Sequence, residues 1–571
     1  MVDAATLPAA AVAPRSRWVL WVAVAVPLLA ACAPRDLWAP DEPRYGLVAQ
    51  GMLDTGDLLV PRINGQPYAE KPPLAFAAMA ATGLVAGEVT AVGARLACAA
   101  FAALAVFLVA RLARRWFRDA ATAETAALLF STTGLVLWSG SRAALDLPMT
   151  ACGLLALDAG TTLLERRSWP AALGFGAALG AGLLVKGPHV FYVPLAALVG
   201  GALASGRGRR LLDPRWLVGL ALALGLAAAW LVPAVARAGD ALAYNDDVSF
   251  GRRVLGQLSD RVAGDDVPHE HGPLYLFPLL LAFGLPWTPA WLLALPAALR
   301  PRRAPEGDRL GLGAAAWGLL VPLLALSLPR SKRELYLVPL LAATAWLGAY
   351  GLHRGIGPRG RAHLARGLGV AGLVAAVLAV AVPLLVAADA LPLGADERAA
   401  ARAVLGGPAT SALGAVALLA AVGGVVALRL RDRAVASARA VGVAVAAAWV
   451  VVATAVMPAF DPWKSFASAA RAGERAAPQA PLAIWGFSDA SVLWSFPHRG
   501  LSPLGTVAYR EAARVLAPTA SPVLVLAKEK TWRERDRRAA PEDRAVLDRA
   551  RILWAQPVGG IRYLLLTNAA P

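Results

Sequence analysis

Thirteen apolar runs, most of them close to the length that crosses a bilayer, recur through the first 457 residues and leave few folds open. Lipid offers no hydrogen-bond partner to a backbone, so each run has to satisfy its N–H and C=O groups internally and reads as a helix. The expected spans are 17–34, 91–111, 122–140, 143–164, 169–186, 188–205, 215–236, 274–298, 312–328, 335–352, 367–388, 409–428 and 440–457. With 58% hydrophobic and only 16% charged residues, a soluble globular class is excluded.

The formal net charge of +18 would point a soluble protein toward nucleic acid. Here the arginines fall in short clusters between apolar runs, as in "RLARRWFR", "GRGRR", "RPRR" and "RLRDR", and read as cytoplasmic anchors. Nucleic acid is therefore not an expected partner. A further apolar stretch, Leu74 to Ala86, has about thirteen residues, which suits a re-entrant or interfacial helix or the start of a long second helix. Leaving it out of the count puts the six arginine clusters after the second, fourth, sixth, eighth, tenth and twelfth spans on the side of Arg15 and Arg17, while "RSKRE" is a basic loop on the other side. The acidic loops 35–73, 237–273 and 389–408 then share the other side, so the N-terminus is expected in the cytoplasm. "LAAC", residues 29–32, resembles a lipobox, but cleavage there would remove the first helix, and the uncleaved reading is taken. The three cysteines lie in apolar segments and imply no disulfide framework.

An odd number of spans places the tail outside. Residues 458–571 carry the short runs "PLAIW", "PVLVLA" and "RYLLLT" after a helix-like "DPWKSFASAARAGERA", and a small outward α/β domain is expected, separate from a membrane domain over 1–457. The tail holds no nucleotide loop or metal spacing, and no nucleotide or organic cofactor is expected.

The first outward loop is rich in polar signals. "PRYGLVAQGMLDTG" reads as a short helix on the membrane, opened by Pro43 and ended by Gly56, with Asp41 and Glu42 at its entrance. A carboxylate there is a common helix cap. Arg44 also reads as an interface anchor, and Glu70 with Lys71 as an exposed ion pair worth at most ~1 kcal/mol.

In combination, "LWAPDEPRY" and "GDLLVPRINGQPYAEKPPL" resemble the first outer loop of the bacterial aminoarabinose transferases and of the wider protein O-mannosyltransferase-like family. The resemblance continues through "SRAALDLPMT", "LLVKGPHV", "HEHGPLYLFPLLLAFGLPW" and "SLPRSKRELYLVPL", covering about residues 17–352. It implies a polytopic α-helical membrane protein of the GT-C type in a bacterial inner membrane. Its donor would be an undecaprenyl-phosphate-linked sugar, aminoarabinose-like or hexose, and its acceptor lipid A, another envelope glycan or a protein on the periplasmic face.

Breaking the bond between an anomeric carbon and a lipid phosphate develops positive charge on the sugar and negative charge on the phosphate. Cations must hold that phosphate, while one carboxylate suffices to manage the acceptor, because lipid phosphate leaves without a general acid. By that chemistry and its motif position, Asp41 is the expected base or acceptor-orienting group, with Glu42 the weaker candidate. Asp146, in "LDLP" at the outer end of the fourth span, is brought to the same face and is expected to share in the site. The resemblance assigns Arg44, Tyr68, Lys71 and Tyr336 to the donor phosphate, with Lys332 beside them. Lys186 interrupts an apolar run, which asks for a phosphate or carboxylate partner or for snorkelling to the interface. Glu70 matches a position that holds a divalent metal in relatives together with a later histidine, here His269 or His271 of "DDVPHEH". Glu and His are adequate for zinc or a similar ion. The competing class is a transporter or lipid-linked sugar flippase, which should show repeated halves with functional charges near mid-membrane. Such internal symmetry is not evident here.

Overall fold

The structure, a computed structural model, describes residues 18–244, 246–263, 270–487, 489–497, 501–504 and 508–569. All thirteen expected runs are helical, but they are not thirteen full-length spans. Among the described residues nine helices are long and apolar enough to cross a bilayer, or eleven if two bent pairs each count as one span. The first and sixth runs are shorter, Trp18–Ala31 and Pro188–Ala204. Leu74–Ala86 is a thirteen-residue helix separate from Ala91–Phe117, not the start of a longer one.

Helices Asp146–Arg166, Glu306–Ser327 and Glu334–Gly355 are mostly buried and form the middle of the bundle, whereas Arg215–Ala238 and Pro358–Ala387 are mostly exposed at its periphery. The two bent pairs repair each other. Ala120–Ser131 and Gly134–Gly140 meet at 68°, and Leu276–Phe283 and Thr288–Ala298 at 116°. At the breaks, the Gly134 N–H donates to the Leu285 carbonyl (3.2 Å) and the Trp287 indole N–H to the Thr132 hydroxyl (2.9 Å). Backbone freed from one helix is thus satisfied by the other, as irregular chain at membrane depth requires.

The basic end of the bundle is also tied together. Arg111 and Arg115 reach across from helix Ala91–Phe117 to Asp158 (3.0 and 3.1 Å), and Arg115 also to Glu165 (2.7 Å). These acids lie toward the far end of the helix that begins at Asp146, so helix geometry separates the arginine anchors from Asp146 by roughly 20–30 Å.

The tail folds around a five-stranded mixed sheet in the order Leu501–Leu504, Leu482–Trp485, Leu524–Lys528, Ile561–Thr567, Arg551–Val558. The first three are parallel and the last two form an antiparallel hairpin. Alternation along the strands loads both faces. Trp485, Val525 and Leu566 pack with Tyr509 and Trp532 on one side, and Leu482, Leu524, Leu526 and Leu565 with Phe466 on the other. The three runs picked out from sequence are strands, and "DPWKSFASAARAGERA" contains helices Asp461–Lys464 and Ala467–Ala476.

The tail is seated on the loop that follows the first helix. The Trp494 indole N–H donates to Asp36 (2.8 Å), the Trp38 indole N–H to Asp461 (2.7 Å), and the Asp36 backbone N–H to the second Asp461 oxygen (3.0 Å).

Candidate active site

The first loop is built from local signals. Helix Asp41–Thr55 starts with two acids in its first turn, where the helix dipole favours them, and ends at Gly56, whose φ of +67° suits a residue without Cβ. The chain then turns at Asn64–Gly65, both with positive φ, in a two-residue hairpin between Arg62–Ile63 and Gln66–Pro67. That return brings Tyr68, Glu70 and Lys71 back beside the helix start.

The adjacent acids separate completely. Glu42 is wholly buried and makes no cap. Its carboxylate accepts two bonds from the Arg35 guanidinium (2.9 and 3.1 Å) and the backbone N–H groups of Trp38 (3.0 Å) and Ala143 (2.8 Å), with Arg142 at 3.5 Å. The cap expected from sequence is corrected to an internal tie between the first loop and the chain at 141–143. Its acceptor capacity is spent, so it offers nothing to a substrate.

Asp41 faces the site instead. Its carboxylate pairs with Arg333 at 3.1 Å, both side chains partly exposed. Burial pushes its pKa up, but the Arg333 guanidinium, by charge and by hydrogen bond, outweighs that with help from Arg44 and Lys186, and the carboxyl is held below its ordinary value. Arg44 donates to Glu70 at 2.8 Å, and the buried Tyr68 hydroxyl lies 3.4 Å from the same oxygen. Lys186 pairs with Asp146, its ammonium 5.8 Å from the centre of the Tyr336 ring, which in turn lies against His189. Lys71 donates to the Glu70 carbonyl (3.0 Å). Asp41, Asp146, Arg44, Lys186 and Arg333 influence one another electrostatically, so the expected face is a single cluster. Three of its cations, Arg44, Lys186 and Arg333, each rest on a carboxylate, Glu70, Asp146 and Asp41.

Lys332 departs from expectation. It is buried, and its ammonium donates to the carbonyls of His271 (2.9 Å) and Pro329, fastening the segments around these two residues together rather than facing a phosphate. The next residue, Arg333, takes the place in the site. Lys332 and Arg333 are adjacent cations in "RSKRE", one position decides which of them turns inward, and nothing local in the sequence distinguishes the two.

A cavity of about 240 Å³ opens beside Arg44 and Glu70, bordered by Asp246 and Arg253 and by Asp489 and Ala490 of the tail. The first loop, the segment after helix Arg215–Ala238 and the tail therefore meet at the candidate site.

The described residues do not fit a metal shell. Glu70 is engaged by Arg44, the His271 ring is stacked on Tyr275 at 3.7 Å, and among the described residues no three of His, Cys, Asp and Glu gather as ligands. His269 lies outside the described residues.

Residues 70–232 match the dolichyl-phosphate-mannose-protein mannosyltransferase family. The chain is similar to undecaprenyl phosphate-alpha-4-amino-4-deoxy-L-arabinose arabinosyl transferase of Pseudomonas aeruginosa strain UCBPP-PA14, 32% identical over 375 residues, which are 64% of this chain and 65% of that one. The same enzyme of strain LESB58 is 34% identical over 349 residues, 60% of this chain and 61% of its own. The matches thus span slightly less than two thirds of these curated relatives. Among solved structures, ArnT from Cupriavidus metallidurans bound to undecaprenyl phosphate superposes with a TM-score of 0.75 at 20% identity, covering 97% of this chain and 98% of that one. The structural likeness shows a shared fold, and the sequence similarity points to the same kind of transferase over slightly less than two thirds of those relatives' length.

Proposed function

We propose that the protein is a membrane glycosyltransferase that moves a sugar from a polyprenyl-phosphate donor to an acceptor on the face carrying Asp41. The carrying observation is the gathering of one pair of carboxylates, Asp41 and Asp146, with Arg44, Lys186 and Arg333 at one end of the bundle. The relatives' names specify undecaprenyl phosphate aminoarabinose as donor. An aminoarabinose or related sugar, with lipid A or another envelope glycan as acceptor, is the proposed substrate pair. The proposed setting is a bacterial inner membrane with the N-terminus cytoplasmic and the tail periplasmic.

In this reading Arg44, Lys186 and the Tyr336 hydroxyl meet the donor phosphate, assisted by Lys71. As the bond between C1 and the phosphate oxygen breaks, its electron pair passes to the phosphate, whose growing charge these groups stabilise. The acceptor oxygen attacks C1 from the other side, and Asp41 orients it and takes its proton where it carries one. Asp146 holds Lys186 in place. Glu42 and Lys332 act through the fold alone. A divalent ion enters the proposal only as a rival partner for Glu70, which would have to release Arg44. A cation-dependent rise in Tm that Glu70→Gln abolishes would support it, and no step above needs it.

The test is deletion of the gene in its host, with mass spectrometry of lipid A, envelope glycans and glycoproteins. Loss of one sugar, restored by the wild-type gene and not by Asp41→Asn, is expected. An unchanged envelope in the deletion strain contradicts the reading.

A further inference from the structure

We infer that Arg333 is an exchangeable partner, held by Asp41 in the resting site and surrendered to the donor phosphate during transfer, so that phosphate binding itself frees the base. The inference rests on the proposed glycosyltransferase reading, and it answers a tension in the geometry. A carboxylate paired with a guanidinium at 3.1 Å is a poor proton acceptor, yet Asp41 is the carboxylate placed to act as one. The groups that face it are Arg333 from the loop after helix Glu306–Ser327, Arg44 one turn along its own helix, Lys186 from the end of helix Trp169–Lys186, and the Tyr45 phenol, with Asp146 close behind. Arg44 and Lys186 already have carboxylates of their own. Arg333 is therefore the cation whose departure changes Asp41 most.

The chemistry favours such a departure. A polyprenyl-phosphate sugar is a diester with one negative charge, and the departing polyprenyl phosphate carries close to two. As the bond between C1 and oxygen breaks, the electron pair moves onto the phosphate, and its pull on a guanidinium rises while that of Asp41 stays constant. The planar fork of arginine fits two phosphate oxygens as well as it fits a carboxylate. Its side chain is about a third exposed, so the exchange gives up a part-buried contact rather than a fully enclosed one. Asp41, relieved of its partner, becomes more basic at the stage when the acceptor proton has to leave. Arg333 is a positioning residue toward Asp41 and a phosphate contact late in the reaction.

The experiment measures binding of undecaprenyl phosphate, the product form, to the purified full-length protein in nanodiscs, for wild type, Asp41→Asn, Arg333→Met and the double variant. Giving up a partly exposed ion pair weakens phosphate binding in the wild type, so Asp41→Asn should bind roughly two- to fivefold tighter. That gain should fall toward one in the Arg333→Met background, because no exchange is left to relieve. An equal gain in both backgrounds would mean simple charge repulsion and would overturn the inference, as would no gain at all. Arg333→Lys should keep part of the coupling. The pH profile of kcat/KM, which reports the free enzyme, supplies a second readout: Arg333→Met should lower kcat/KM and move its acidic limb to higher pH, whereas a purely structural role would leave the limb in place. If none of the four proteins binds undecaprenyl phosphate, the underlying functional reading fails instead, so the two failures are distinct.

Discussion

Changing Glu42 to glutamine alters little in shape but removes the charge on which a buried network depends. The carboxylate is wholly enclosed and accepts two bonds from Arg35 and two backbone N–H groups, with Arg142 nearby. Glutamine keeps one acceptor oxygen and turns a donor toward at least one of those N–H groups, leaving the buried Arg35 charge uncompensated. Breaking a buried pair from one side costs about 3–5 kcal/mol, against a typical stability of about 5–15 kcal/mol for a fold. Asp41→Asn, one residue away, loses only a partly exposed pair worth about 0–1 kcal/mol. Thermal unfolding of the purified protein in detergent should therefore show a large drop in Tm for Glu42→Gln and almost none for Asp41→Asn, while activity follows the opposite logic in folded protein. The pH dependence adds a sign. Burial would raise the Glu42 carboxyl, but Arg35, Arg142 and the Ala143 N–H overcome this and hold it below the ordinary value of 4.5. A depressed folded pKa means the contribution is fully present above that ordinary value and is lost as pH falls through the folded one. Wild type should lose stability along that acidic limb, and Glu42→Gln should lack this component. Equal Tm values for wild type and Glu42→Gln, or parallel acid limbs, would refute the role given to Glu42.

Three further substitutions test other parts of the account. Gly46→Ala places a Cβ 2.7 Å from both Leu37 and the Trp494 ring, so it should cost about 1–3 kcal/mol and release the tail to limited proteolysis. Lys186→Met leaves the buried Asp146 unpaired and should lower both Tm and transfer; adding Asp146→Leu should recover Tm without transfer. Tyr336→Phe keeps the ring against His189 and removes only the hydroxyl, and should weaken donor binding by roughly tenfold or more, read as donor KM, with Tm unchanged.

What could be read from the chain follows the range of the interactions. Local signals carried furthest. The helix ended by Gly56, the apolar runs and three of the five tail strands are each encoded within a short window. The missed strands, "LSPL" and "RILWAQPV", contain proline and owe their state to pairing with Leu482–Trp485 and Ile561–Thr567. Hydropathy finds apolar runs but says nothing about a bend, so two spans that read as continuous are broken at Thr132–Thr133 and near Leu285. The pairing of Asp41 with Arg333 joins residues 292 apart, and the fate of Glu42 depends on Arg35 and on the backbone of Ala143. Neither partnership leaves a periodicity. The family resemblance pointed to Asp41, Arg44, Asp146 and Lys186, which the fold gathers, and to Lys332 where the fold turns Arg333 inward.

The central claim is that Asp41 serves the transfer of a sugar from a lipid phosphate. Its most direct test is a transfer assay with the purified full-length protein in nanodiscs, a polyprenyl-phosphate sugar and lipid A, comparing wild type with Asp41→Asn at matched Tm. Transfer by wild type and its loss by at least two orders of magnitude in Asp41→Asn is the predicted result, on the scale typical of a lost acid–base group. Transfer by Asp41→Asn at the wild-type rate would contradict the account.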